Sequence, residues 1–388
     1  MVNTPEELGL WLRLSLTPGV GDQTARQLLA AFGEPEHIFR QSASALRQIV
    51  SAKQAQQLLT LPDGWADLSR DTWDWLQHTP TPDITHAVLT LGDAEYPAPL
   101  LLIPDPPVML YALGQTAALQ GLKAEQSLAM VGSRNPTPQG QSNAREFARA
   151  LAGSGLTIVS GMALGIDGAA HDGALQGASP QALATIAVVG TGLDRVYPRQ
   201  HRELAHRIAQ RGLILSEYPL GTPPLNANFP KRNRLIAGLS QATLVVEATL
   251  VVEAALQSGS LITAKQALEQ GRDVLAIPGS IHSAQAKGCH ALIKQGAKLV
   301  ESAQDVLEEL RMPDPFAPVP LALAPTAAPT ETEDELLSAM GHDPVGLDAL
   351  QARCGWPTAR LQAQLLELEL MGQVGRLPGG LFQRMGMG

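Results

Sequence analysis

The sequence predicts an α/β protein whose central domain has a mainly parallel sheet, preceded by a small all-α domain and followed by a winged helix. In the centre of the chain, short apolar runs alternate with amphipathic stretches and glycine-containing turns. This alternation is typical of strand-helix units, in which helices cover both faces of a parallel sheet. At the two ends of the chain the apolar periodicity is helical instead.

The composition predicts a soluble, multidomain protein. The chain has 388 residues, of which 45% are apolar, enough for two or three domains. It has no run of about 18 uncharged apolar residues and no secretory layout at the N-terminus, so we expect a cytoplasmic protein without membrane segments. The two cysteines, Cys289 and Cys354, lie far apart in the sequence and predict reduced thiols rather than a disulfide or zinc site.

Four segments follow from the pattern. Residues 1–80 are helical, with breaks at Pro18-Gly19-Val20-Gly21 and Gly33-Glu34-Pro35. Residues 85–311 form the α/β domain, residues 312–330 are a linker rich in proline and alanine, and residues 331–388 show three helices and a hairpin. The predicted strands of the central domain are Leu128–Val131, Leu156–Val159, Thr185–Val189, Leu213–Leu215, Thr243–Val246, Val274–Ile277 and Lys298–Val300.

A tandem duplication interrupts this pattern, because the six residues Thr243–Ala248 are repeated at once as Thr249–Ala254. Both copies have strand composition, and a period of six residues is too short for a repeat architecture. One copy must provide the core strand, and the sequence leaves open which.

Polar turns follow several predicted strands, and ligands of parallel sheets bind outside the carboxyl ends of the strands. Ser133 and Arg134 follow the first of them, Gly161 follows the second, and Ser260 opens a later helix. Glycines and helix N-termini at such turns bind phosphate. His171 and Asp167, at i and i+4, could pair for metal or acid–base chemistry, but a capping aspartate and a satisfied histidine are favoured, and we assign no catalytic or metal-binding residue.

A basic stretch runs from Arg195 to Arg234, with eight cations and two acids, or 8 − 2 = +6, in a chain of net charge −9. This contrast predicts a surface for a polyanion. Its last part is predicted to be a loop in which three cations and an amide bind phosphates, while Phe229 offers a stacking face. These four residues are Lys231, Arg232, Asn233 and Arg234.

Eight segments resemble the DNA-processing protein A (DprA/Smf) family in their order and spacing. They are VGSR at 131–134, SGMALGID at 160–167, GLDRVYP at 192–198, SEYPLG at 216–221, NFPKRNRLIAGLS at 228–240, VVEAALQSGSLITA at 251–264, GRDVLAIPGS at 271–280 and GCHALIKQGA at 288–297.

The resemblance implies an extended Rossmann-like domain that binds single-stranded DNA, forms a homodimer and loads a RecA-type recombinase during natural transformation, without enzymatic activity or cofactor. It also implies that Arg134, Lys231, Arg232 and Arg234 contact the DNA backbone, while Ser133, Gly161 and Ser260 shape the pocket. The alternative that the residues leave open is a Rossmann-like nucleotide-binding hydrolase, because such enzymes also bind substrate at strand ends.

The two ends resemble domains that family members carry. Residues 16–33 are similar to a helix-hairpin-helix in a SAM-like N-terminal domain, and residues 331–388 to the family's winged helix. The latter segment has four arginines and eight acids, or 4 − 8 = −4, including Glu367 and Glu369 on the predicted recognition helix. This charge disfavours contact with DNA phosphates and points as much to a protein contact or an autoregulatory role.

Overall fold

The structure is a computed structural model that describes residues 2, 4–78, 81, 84–248, 259–311, 335–340, 345–371, 373–377 and 381–384. Contacts divide the chain into two compact units, Met1–Ala317 and Pro318–Gly388. The predicted helical segment belongs to the first unit, so the boundary at residue 80 stays a prediction. The predicted linker at 312–330 lies outside the described residues.

The N-terminal segment is helical, as predicted, and its helices begin at strong capping residues. Thr4 accepts a hydrogen bond from Glu7 N at the start of the first helix, and Ser51 forms a reciprocal capping box with Gln54. The helices are α1 (Pro5–Leu16), α2 (Asp22–Phe32), α3 (Pro35–Phe39), α4 (Ala43–Leu46), α5 (Ala52–Leu58) and α6 (Trp65–Gln77).

The α/β part contains nine strands in one sheet, and the seven predicted strands are all confirmed. They are β3 (Ser127–Gly132), β4 (Thr157–Ser160), β5 (Thr185–Val188), β6 (Leu213–Ser216), β7 (Ala242–Val246), β8 (Asp273–Ala276) and β9 (Lys298–Leu299). The sequence pattern missed the first two strands, the edge strand β1 (Thr85–Thr90) and its neighbour β2 (Met109–Gly114), which pair antiparallel with each other.

Helices connect and cover these strands. They are α7 (Ala98–Leu101), α8 (Pro138–Gly153), α9 (Ile166–Gly177), α10 (Arg202–Arg211), α11 (Asn228–Gly238), α12 (Gly259–Glu269), α13 (Lys287–Lys294) and α14 (Ala303–Glu309).

The strand order β1-β2-β6-β5-β4-β3-β7-β8-β9 fixes where a ligand can bind. From β3 the chain builds one half of the sheet through β4, β5 and β6, and then crosses over to β7 on the other side of β3. All pairings from β6 to β9 are parallel. The order therefore reverses between β3 and β7, which is the position of the ligand crevice in doubly wound sheets.

Two hydrophobic cores cover the two faces of the sheet, because successive side chains of a strand point to opposite faces. In β3, Leu128 and Met130 belong to the core shared with α8, α9 and the N-terminal helices. Ala129 and Val131 belong to the core shared with α11, α12 and α13. Burial on both faces explains why the parallel strands are apolar runs rather than alternating sequences.

The first copy of the duplicated segment provides the core strand, which answers the question that the sequence left open. Thr243 to Val246 lie within β7 and pair with β3 and β8. The second copy, residues 249–254, lies outside the described residues.

The C-terminal unit has the predicted winged-helix elements and a core of its own. The elements are α15 (Glu335–Met340), β10 (Val345–Gly346), α16 (Leu347–Cys354), α17 (Thr358–Leu370), β11 (Val374–Leu377) and β12 (Leu381–Arg384). The last two strands form the predicted hairpin. In the described part of the chain, no helix is long and apolar enough to cross a membrane.

Candidate nucleic-acid interface

A cavity of about 570 Å³ lies at the point where the strand order reverses. Its walls come from the turn after β3, the turn after β4, the first turns of α11 and the start of α12. Among the predicted site residues, the cavity is lined by Ser133, Arg134, Arg232, Asn233 and Ser260. Residues that are more than 120 positions apart in the chain thus meet at one polar crevice.

The turns after β3 and β4 fit together through their backbones. The N–H of Ile166, the first residue of α9, donates a hydrogen bond to the carbonyl of Ser133 at 3.1 Å. Gly132 has no room for a side chain, since a Cβ there would overlap the carbonyl oxygen of Val246 and the side chain of Ile166. The crevice therefore has a rigid floor, with the N-terminus of α9 beside it.

Asp167 supports the second turn. Its carboxylate is buried and accepts a hydrogen bond from the N–H of Ala163 at 3.3 Å. Burial raises the pKa of Asp167, although Arg232 and the backbone N–H donors act in the opposite direction. The aspartate stabilises the turn that precedes α9, but the predicted capping role is wrong, because the N-cap of α9 is Gly165 and no side chain caps this helix.

The predicted loop at Asn228–Arg234 is wrong, because these residues form the first two turns of α11. Pro230 is compatible with this helix because the first-turn N–H groups of a helix need no intrahelical partner. Helical spacing separates the four predicted phosphate-binding residues into two sets. Arg232 and Asn233 face the cavity, whereas Lys231 contacts Asp22 of α2, and Arg234 pairs with Glu217 and Asp105.

Arg232 lines the cavity but is almost fully buried in its wall. The residue is 3% exposed, and its guanidinium donates hydrogen bonds to the carbonyls of Gly161, at 2.7 Å, and Val188. Burial lowers the pKa of Arg232 to about 10, so that the side chain remains cationic at neutral pH. Gly161 is needed here because a Cβ would overlap this guanidinium. Arg232 thus ties the ends of β4 and β5 to α11.

Asn233 connects α11 to α12, on the opposite side of the cavity from β4 and β5. Its side-chain amide donates to the carbonyl of Gly259 at 3.1 Å and holds α11 against the start of α12. The neighbouring Ser260 is 6% exposed and lines the cavity.

Four of the eight cations of the predicted basic stretch form ion pairs, namely Arg195, Arg207, Lys231 and Arg234. Arg207 contacts Asp172 at 2.7 Å, and Arg195 contacts Asp194 at the same distance. Arg211 donates to three backbone carbonyls. The +6 of the sequence therefore overstates the cationic surface, because aspartates outside the stretch neutralise part of it.

Arg134 differs from these residues. Its side chain is exposed at the rim of the cavity, and it has no ion-pair partner among the residues that the structure describes. The guanidinium lies 5.6 Å from the centre of the Phe229 ring. Arg134 is therefore the cation of the cavity that is best placed to meet a phosphate from solvent.

A smaller cavity of about 140 Å³ adjoins the first and shares Arg134, Phe229 and Arg232 with it. Its walls are otherwise largely apolar, and the rings of Tyr197 and Phe229 lie 5.7 Å apart, tilted by 33°. An aromatic wall beside a cationic rim is the combination that proteins use for unpaired bases and their phosphates. Tyr197 belongs to the motif at 192–198 but was not among the predicted site residues, and its loop follows β5.

Glu247 is a second residue that the sequence left unassigned. Its carboxylate accepts hydrogen bonds from both the N–H and the hydroxyl of Thr137, the N-cap of α8. It thereby fastens the turn after β3 to the end of β7. No local pattern could reveal this contact, because the two residues are 110 positions apart.

His171 is fully buried behind the cavity, as expected for a structural histidine. Its Nδ1 lies 2.7 Å from the hydroxyl of Thr185, and its Nε2 has no hydrogen-bond partner among the described residues. Burial lowers the pKa of His171 to about 3. The described residues contain no cluster of three or more side chains that could hold a metal ion.

The buried His171 predicts an acid-sensitive fold. Between pH 6.5 and 3 the unfolded chain binds a proton at this residue and the folded chain does not, so stability falls as the pH falls. From pH 7 to 5 we expect this histidine to cost about 2 kcal/mol of unfolding free energy. Urea unfolding at pH 7 and at pH 5 measures the loss of unfolding free energy between the two pH values. This loss should be smaller for His171→Gln than for the wild type, whereas His37→Gln, at an exposed position, should behave like the wild type. Equal losses in all three proteins would contradict this assignment.

The fold and the site define a Rossmann-like α/β protein with a polar crevice at its topological switch point. A sequence model of the family described as DNA recombination-mediator protein A matches residues 87–311, and one described as DprA winged helix domain matches residues 320–380. Protein Smf of Escherichia coli is 39% identical over 380 residues, which cover 96% of this chain and 94% of that protein. The chain belongs to the DprA/Smf family of DNA recombination mediators, as its sequence motifs had predicted.

Two solved structures agree with this assignment. DNA processing protein A from Streptococcus pneumoniae is 36% identical, with a TM-score of 0.63, over 80% of this chain and 99% of that one. DNA processing protein A from Helicobacter pylori, whose structure is described in terms of a single-stranded DNA binding mode, is 31% identical, with a TM-score of 0.50, over 58% of this chain and 95% of that one.

Proposed function

We propose that this chain binds single-stranded DNA in the crevice between the ends of β3 and β7, and that it is not an enzyme. The observation that carries the proposal is the exposed Arg134, which has no ion-pair partner in the described part of the chain and lies at the rim of a cavity at the switch point. The neighbouring α9 N-terminus and the hydroxyls of Ser133 and Ser260 favour an anion in the same place. The family relationship, and the strand-binding mode described for the Helicobacter pylori protein, support the choice of ligand.

In this proposal the site residues have different roles. Arg134 contacts a phosphate, and Ser133 and Ser260 shape the phosphate-binding part of the cavity. Gly161 and Arg232 form the floor, and Asn233 holds α11 in place. A base stacks against Phe229 at the smaller cavity.

We further propose the biological role that family membership implies. The chain acts in the cytoplasm as a homodimer and loads a RecA-type recombinase onto incoming single strands during natural transformation. Membership of the recombination-mediator family supports this role.

The experiment that tests the proposal is a titration of labelled oligonucleotides of increasing length, followed by fluorescence anisotropy at two salt concentrations. We expect affinity to rise with the length of the single strand and to fall with salt, because each neutralised phosphate releases counterions. Matched duplexes and mononucleotides are the comparison ligands. Tight mononucleotide binding without any affinity for strands would favour the alternative, a nucleotide hydrolase.

A further inference from the structure

Six charged side chains join the face of α11 that points away from the cavity to the N-terminal helices. Three are cations and three are anions, so the network is neutral as a whole. The pairs are Arg26–Asp105 at 2.6 Å, Arg234–Asp105 at 3.3 Å, Arg234–Glu217 at 2.7 Å, Lys231–Glu217 at 3.5 Å and Lys231–Asp22 at 3.0 Å.

The network has an inner and an outer part. The side chains of Arg234 and Glu217 are 10% and 3% exposed, so breaking this pair would leave a buried charge without a partner. The side chains of Lys231 and Asp22 are 45% and 21% exposed, and ion pairs of this kind contribute little to stability. The buried pair Arg234–Glu217 is therefore a fixed part of the structure, whereas the exposed pair Lys231–Asp22 can open with little loss of stability.

Lys231 is also next to the proposed DNA-binding surface. Its chain neighbours Pro230 and Arg232 both line the main cavity, while Lys231 itself lies at the wall of an open groove between α2 and α11. This groove has a volume of about 800 Å³ and leaves room for the flexible side chain to turn away from Asp22. The ammonium can thus exchange its carboxylate partner for a phosphate outside the cavity rim.

The N-terminal helical segment is itself poorly suited to hold DNA. Residues 4–78 contain six cations and nine acids, or 6 − 9 = −3. Asp22 opens α2, directly after the Gly19-Val20-Gly21 turn, and places a negative charge at a helix N-terminus that would otherwise favour phosphate. The charge of the segment opposes DNA, and its nearest contact with the DNA-binding surface is the ion pair to Lys231.

We propose that Asp22 is an electrostatic latch, in which α2 withholds Lys231 from DNA until a phosphate displaces the carboxylate. The inference rests on the proposed single-stranded DNA binding and adds an autoinhibitory contact to it. The N-terminal segment thereby sets the affinity of the Rossmann-like domain, and a change that moves α2 away from α11 would increase it.

The test is a double-mutant cycle between Asp22 and Lys231 in the full-length chain, with a labelled single-stranded oligonucleotide as the probe. Asp22→Asn should bind about three- to five-fold more tightly than the wild type, and the salt dependence should steepen by about 0.7 in slope for one added phosphate contact. The gain of Asp22→Asn should be absent in the Lys231→Gln background, so that the double variant binds no more tightly than Lys231→Gln alone.

The matched control is Asp67→Asn, which removes one negative charge from the same helical segment at an exposed ion pair with Arg70. If Asp22→Asn binds no more tightly than Asp67→Asn, or if its gain survives Lys231→Gln, the latch is refuted. Arg134→Gln separates this failure from that of the proposed function. Binding that depends on Arg134 but not on Asp22 refutes the latch alone, whereas no strand binding by the wild type or by Asp22→Asn refutes both.

Discussion

Replacing Arg134 by glutamine should weaken binding of single-stranded DNA by about 10- to 100-fold at low salt, and leave the fold intact. The arginine is exposed at the cavity rim and has no ion-pair partner among the described residues, so its loss leaves no buried group unsatisfied. A hydrogen bond to a charged group contributes about 1.5–3 kcal/mol, which corresponds to this range of affinity.

Anisotropy titrations at several salt concentrations check this prediction. The salt dependence of Arg134→Gln should be shallower by about 0.7 in slope for one lost contact to a single strand. The control is Arg149→Gln, an exposed arginine of α8 that pairs with Glu146 and does not line the cavity. An unchanged slope for Arg134→Gln, or an equal loss in the control, would exclude Arg134 as a phosphate contact.

The parallel strands of the central sheet could be predicted because the sequence of each strand is enough to identify it. Each parallel strand is buried on both faces, so an apolar run bounded by turns identifies it without any knowledge of its neighbours. The antiparallel strands β1 and β2 are different. They flank a segment that contains five prolines and the short α7, and β2 joins the sheet by pairing with β6, about 100 residues further along. Nothing near Thr85 or Met109 indicates that partner.

The location of the site could be predicted from the order of the strands, but its surface charge could not be predicted from the charges along the chain. The rule that parallel strands present ligands at their carboxyl ends placed Ser133, Gly161 and Ser260 in one region, and the structure brings them to adjoining cavities. Counting charges along the chain overstated the cationic surface, because Asp22 and Asp105, which pair with Lys231 and Arg234, lie outside the counted stretch. A charge count assumes that a cation is free, whereas ion pairing is decided by the fold.

The second large effect is expected on substitution of Arg232, which should lower the stability of the fold rather than remove a contact with DNA. Arg232→Met would leave the carbonyls of Gly161 and Val188 without their donor, and Asp167 without its nearest cation. Breaking such buried charged interactions costs about 3–5 kcal/mol. Arg232→Lys should recover only part of this, because an ammonium cannot reproduce the fork of a guanidinium. Urea unfolding measures both changes.

Arg272 offers a matched control, since it also donates to two backbone carbonyls, those of Gly238 and Ser240, but lines neither cavity of the site. Arg272→Met should lose stability and, where it is still folded, keep the affinity of the wild type for single strands. Arg232→Met should lose both stability and affinity for single strands. The reason is that the floor of the crevice moves when the hydrogen bonds from Arg232 to Gly161 and Val188 are lost. If Arg232→Met instead keeps its stability and loses affinity with a shallower salt slope, as Arg134→Gln should, then Arg232 reaches a phosphate directly. The burial of its guanidinium would then describe only the state without DNA.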